Sequence, residues 1–255
     1  MTLNELLTEL RTNILYDRSD RVAGTPDYLW SDATLIRYIN EAQNRFARLG
    51  LVIRDGTTPD ATEVMVQAGV TEYPLHPSVL AVISAKMPGD IADLARAGHQ
   101  AFQTYRQPDP YFFNPADLST MPPGKPLAYG TDEYLSGDDY GATSVATLRL
   151  YPEPTADYEG QILKLRVVRL PLTQLSTTCG LDQPEIPAEH HLEMLDWAAY
   201  LALRIVDVDA GFQNRANEFR ASFEDHVKRA RNMAMRKMFT PAQWGFGRNG
   251  FSWEH

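Results

Sequence analysis

Apolar positions recur three and four residues apart at both ends of this 255-residue chain and alternate singly through its middle. The first period belongs to a helix with one buried stripe, the second to a strand with one wet face. Leu3, Leu6, Leu7, Leu10 and Ile14 predict a helix over about Thr2–Leu15. Arg18–Asp27 is polar, holds Gly24 and Pro26, and reads as a loop. A second helix starts at Ser31 or Asp32, both good N-caps, and ends at Gly50. Leu35, Ile39, Ala42, Phe46 and Leu49 are its inner face.

From Leu51 to Leu170 the pattern becomes short extended runs between turn residues. The predicted strands are Glu63–Val66, Thr71–Leu75, Val79–Met87, Thr147–Tyr151 and Ile162–Leu170. The last is the clearest, because Leu163, Leu165 and Val167 alternate with Lys164 and Arg166. Tyr105–Tyr129 holds six prolines, which reads as a long ordered loop rather than a strand. Ser136–Ala142 reads as a hairpin-like turn. Helical spacing returns after Pro187, with Leu192, Leu195, Ala199, Ala202 and Ile205 as a stripe that Trp197 and Leu201 broaden. Gly211 marks a break before a fourth helix over about Asn214–Met238, with Ala216, Phe219, Phe223, Val227 and Ala230 facing inward.

The fold class is therefore α+β: a helical bundle of about four helices, two N-terminal and two C-terminal, with a β-rich insertion and an extended C-terminal arm. The expected divisions are 1–50 and 171–238 for the bundle, 51–170 for the insertion and 239–255 for the arm. Helices that close a bundle across such an insertion make one α+β unit.

The arm, FTPAQWGFGRNGFSWEH, carries Phe239, Trp244, Phe246, Phe251 and Trp253. Gly245, Gly247 and Gly250 oppose a helix here, each by about 1 kcal/mol against Ala. Large rings on a segment without its own structure either dock on their own domain or order on a partner. Phe239, Trp244, Phe246, Arg248, Phe251 and Trp253 are the candidate partner-binding residues.

Charge sharpens that division. The net charge is −9, all of it within residues 1–186, whereas six basic residues from Lys228 onward face Glu254 alone. An acidic body argues against tight wrapping of nucleic acid, whose affinity comes from cations that neutralise phosphate. The single cysteine, Cys179, excludes an intramolecular disulfide and disfavours a structural zinc site. No stretch reads as a membrane span, and the N-terminus lacks the basic start and apolar block of a signal peptide.

Candidate chemistry is sparse. His190 and His191 are adjacent, so on a helix they point about 100° apart and cannot easily share an ion; they read as a surface pair at a helix start. Asp207–Gly211 with Glu218 fails as a calcium loop, because Gly211 and Phe212 stand where a ligand and a turn glycine belong. Cys179 lies in a Thr/Gly loop without a nearby base, and Asp138 and Asp139 are neighbours in a glycine turn. The sequence predicts no cofactor, no metal site and no enzyme.

In order, the signals are Asp32–Gly50, Tyr73–Val82, Gly124–Tyr129, Leu148–Pro154, Leu163–Pro171 and Ile186–Leu203. That series resembles the head-to-tail connector, or adaptor, proteins of tailed bacteriophages, over most of residues 1–235. The resemblance implies a non-enzymatic ring, typically of twelve copies, in the virion neck below the portal. Its C-terminal extension reaches the portal, tail or nozzle proteins lie beneath, and genomic DNA passes the lumen without sequence-specific binding. Synthesis in the host cytoplasm and no membrane association follow from the same reading. The Thr173–Glu185 loop and the Tyr105–Pro126 segment depart from the family pattern by their size. The alternatives are another tail-tube or tail-completion protein, and a hydrolase with an unrecognised site.

Overall fold

The computed structural model describes residues 1–17, 28–96, 121–131, 147–176, 182–205 and 210–238. The chain is α+β and divides into two compact units, Met1–Val52 with Leu175–His255, and Ile53–Gln174. Each has its own core where the sequence pattern led us to expect one α+β unit.

In the first unit, α1 (Leu3–Glu9) is capped by Thr2, whose hydroxyl accepts from Glu5 N while Glu5 Oε2 accepts from Thr2 N at 2.8 Å. A π turn over Leu10–Leu15 follows and ends on Tyr16 in the left-handed region at φ 55°. The wider turn moves the inner stripe on by one residue, so Leu15 is buried and the expected Ile14 is only half-buried. α2 (Asp32–Gly50) starts as expected, with the Ser31 hydroxyl accepting from Thr34 N at 3.2 Å. Its left-handed C-cap is Leu51, not a glycine. Gly50 is needed for space instead, since a Cβ there would lie 3.2 Å from Val52.

A short 3₁₀ turn (Ala188–His190) leads into α4 (His191–Ile205), which with α5 (Ala210–Met238) packs on α2. Phe46 of α2, Trp197 of α4 and Phe223 of α5 interlock, with ring centroids 5.8 Å and 5.1 Å from Phe223 to the other two. Of the expected α4 stripe, Leu195, Trp197, Ala199 and Ala202 are buried and Leu192 is not. Leu192 is 53% exposed, and His191, Met194, Leu195 and Ala198 face inward. Gly211, expected to mark a break, lies inside α5; Cys179 and Asp207–Asp209 lie outside the described residues. Asn40 on α2 ties down the returning chain by two bonds, Nδ2 to Leu175 O at 2.9 Å and Oδ1 from Leu175 N at 2.8 Å.

The second unit is two four-stranded sheets. β8 (Ile162–Arg169) centres the first, with β4 (Val79–Lys86) along one edge. β1 (Arg54–Asp55) and β2 (Glu63–Met65) lie along the other, all antiparallel to β8. The second sheet runs β3 (Glu72–Pro74), β7 (Thr147–Tyr151), β6 (Ala128–Thr131), β5 (Ala95–Arg96), with only the β5–β6 pair parallel. Leu163, Leu165 and Val167 from one sheet meet Tyr73, Tyr129, Leu148 and Leu150 from the other in a single core. The Tyr129 hydroxyl donates to Ile83 O at 3.2 Å. The sequence reading missed β6, since its start lies in the proline-rich stretch read as loop. β1, β5 and the one-turn helix α3 (Pro59–Thr62) are too short to show a period.

Candidate functional site

The buried titratable groups are the first place where chemistry could reside. His190 and His191 are 5% and 2% exposed, so the expected surface pair is a buried one. Helix start geometry turns the two rings apart, as the 100° step requires. His191 Nδ1 accepts from Met1 N at 2.8 Å and its Nε2–H donates to Ile186 O at 2.9 Å. Both nitrogens are used in the neutral form, and burial pushes the ring below the ordinary histidine value.

His190 packs on Phe46 and places Nδ1 2.6 Å from Glu193 Oε2. Glu193 reaches on to His226 of α5, Oε1 to Nδ1 at 3.2 Å, a close contact without hydrogen-bond geometry. His226 Nε2 lies 3.7 Å from Asp196 Oδ2, which accepts the Ser222 hydroxyl at 2.7 Å. Burial pushes the Asp196 carboxyl up, helped by Glu193 and opposed by Ser222 and His226. The order of the chain is what matters chemically. The carboxylate sits between serine and histidine, so no imidazole faces the Ser222 oxygen, and the serine–histidine–carboxylate order of a nucleophilic triad is not assembled. The network links α4 to α5. Sequence reasoning missed it because Glu193 and His226, which join its two halves, are 33 residues apart on two helices and share no local motif.

In the second unit, Asp55 is buried and saturated. Its carboxylate accepts from Thr57 N (2.8 Å), Thr58 N (3.1 Å), Thr57 Oγ1 (3.0 Å), Thr58 Oγ1 (2.6 Å) and Arg169 Nε (2.6 Å). Burial alone would raise its pKa, but these donors outweigh burial and hold it well below the carboxylate range. No acceptor position is left for a ligand. Arg11 and Asp17 form a comparable knot in the first unit: Arg11 donates to Trp30 O at 2.7 Å, and Asp17 accepts from Leu29 N at 2.9 Å. Among the described residues no group of three or more His, Cys, Asp or Glu could hold a metal, and no helix is long and apolar enough to cross a membrane.

Phe239, Trp244, Phe246, Arg248, Phe251 and Trp253 lie outside the described residues, as do Asp138 and Asp139. The structure describes the helix that delivers the arm. Among the described side chains the outward face of α5 is polar apart from Ala221 until its last turns, where Lys228, Arg231, Met233 and Arg236 are exposed. Arg229 pairs with Asp225.

Comparison with known proteins bears on the whole chain. Residues 1–244 match the model of a family described as SU10 adaptor protein. No curated protein matches the chain.

Proposed function

The chain belongs to the SU10 adaptor protein family, a phage head-tail adaptor family, and from that premise we propose that it is a structural ring subunit joining the capsid portal to the tail. The observation that carries the proposal is the family match over residues 1–244. It is supported by the use of every buried titratable cluster described above in packing. In this reading about twelve copies encircle the channel below the portal. DNA passes without sequence-specific contacts, and tail or nozzle proteins bind below. No cofactor is required.

The arm is the proposed portal anchor. Phe239, Trp244, Phe246, Phe251 and Trp253 supply apolar area, each large side chain worth roughly 1.5–3 kcal/mol on full burial before ordering costs. Arg248 adds at most about 1 kcal/mol if its pairs stay exposed. Contact therefore tolerates salt better than a charge-driven one would, and repetition around a ring turns modest affinity into tight binding. Truncation after Met238 tests this. The shortened chain is expected to keep its far-ultraviolet circular dichroism and lose binding to portal rings. Unchanged binding by the truncated chain refutes the assignment.

A further inference from the structure

The outer face of the β8 sheet carries a charge opposite to that of the unit it belongs to. Leu163, Leu165 and Val167 enter the core, so Ile162, Lys164 and Arg166 stand on the other face. Cross-strand register sets Lys86 and Glu63 beside Lys164, Ser84 beside Arg166, and Met65 beside Ile162. Met65 and Ile162 are 62% and 40% exposed. Lys164 is 71% exposed and only grazes Glu63 at 3.9 Å, and Lys86 Nζ donates to the neutral Ile91 O at 3.3 Å. Arg166 has no anionic partner among the described residues. Among the described residues Lys86, Lys164 and Arg166 thus share this face with one carboxylate and an apolar pair, and Arg54 stands farther along it opposite Val168. Yet residues 53–174 as a whole hold fifteen acidic and nine basic residues, so the face is a local reversal of sign.

The complementary charge sits on the β7–β8 connection. There a 3₁₀ turn (Ala156–Tyr158) and Gly160 at φ 76° set out Glu153, Asp157 and Glu159, all exposed and without a cation partner among the described residues. The turn leads directly into β8 but does not fold back onto its cations. The two patches are opposite in charge, and among the described residues no ion pair joins them within one molecule.

We infer that this face receives the Glu153–Glu159 turn of a second copy of the chain. The inference rests on the ring reading and names the contact that would build the ring. Contact between two different patches of one chain is heterologous, the kind that propagates around a ring when the rotation closes. Met65 and Ile162 distinguish a protein partner from nucleic acid, because apolar side chains form the centre of a protein interface whereas phosphate engages the cations alone.

Charge exchange in the full-length chain tests this. K164E/R166E faces the native turn with like charge, and D157K/E159K faces the native sheet with like charge. Each is expected to associate about a hundredfold or more weaker than the unaltered chain, measured by sedimentation and electron microscopy with portal present. Mixing the two in equal amounts restores rings of alternating subunits, and the quadruple variant restores them alone. Circular dichroism checks each fold, and the neutral pairs K164Q/R166Q and D157N/E159N replace any variant that fails it. Rings of unaltered chain together with normal rings of each variant alone would overturn the contact and leave the ring reading standing. Absence of rings from the unaltered chain, alone and with portal, overturns both. Binding of duplex DNA that K164E/R166E abolishes assigns the face to phosphate and overturns the contact.

Discussion

Replacing Asp55 by alanine removes one carboxylate and strands five donors: two backbone N–H groups, two threonine hydroxyls and the Arg169 Nε–H. Arg169 is itself buried, with a side chain 10% exposed against 5% for Asp55. Breaking a buried pair by removing one partner costs about 3–5 kcal/mol, because the remaining charge stays out of water. For a unit of this size that is on the order of 10–20 °C in its unfolding temperature. The sign of the pH dependence follows from the depressed carboxyl pKa. A group held below its unfolded value, about 3.9, stabilises fully above that pH and loses its contribution as pH falls further. The gap between wild type and Asp55→Ala is therefore widest near neutrality and narrows below about pH 4. Calorimetry of the full chain reads the total. Tryptophan fluorescence reads the helical unit alone, since no tryptophan lies in residues 53–174. A loss under about 1 kcal/mol, or a gap unchanged down to pH 2, would refute the reasoning.

Other substitutions test single joints. Asn40→Ala removes both bonds to Leu175 and is expected to cost about 2 kcal/mol in chemical denaturation, seen in the tryptophan-reported transition. Phe46→Ala, at a fully buried position among His190 and Phe223, is expected to cost about 3–5 kcal/mol in the same assay. Leu51→Gly relieves a left-handed residue at the α2 C-cap and is expected to raise stability by about 0.5–1 kcal/mol; a loss would show that the Leu51 side chain outweighs its backbone strain.

The elements legible in the sequence are those long enough to repeat a period. β8 shows three inward residues in alternation, and α2 has a serine cap and a five-residue stripe, so both are placed within a residue or so. The misses have local causes. The π turn moves burial from Ile14 to Leu15, which a fixed 3.6-residue period cannot foresee. Leu192 resembles a core residue by composition, but the 3₁₀ turn before α4 rotates His191 inward instead. β6 starts within a stretch whose prolines dominate the reading, although Ala128 and Tyr129 are buried. The Asp55 knot leaves a local trace, an aspartate followed by two threonines and Pro59, but its Arg169 partner is 114 residues away. For the same reason the His190–Glu193–His226 link depends on how α4 meets α5, which no spacing within either helix encodes.

Electron microscopy of the purified chain, alone and mixed with its portal, tests the adaptor reading most directly. The account predicts closed rings stacked on the portal, formed by the full chain and absent for the chain truncated after Met238. Monomers that never join the portal, or rings that dock equally well without the arm, would contradict it.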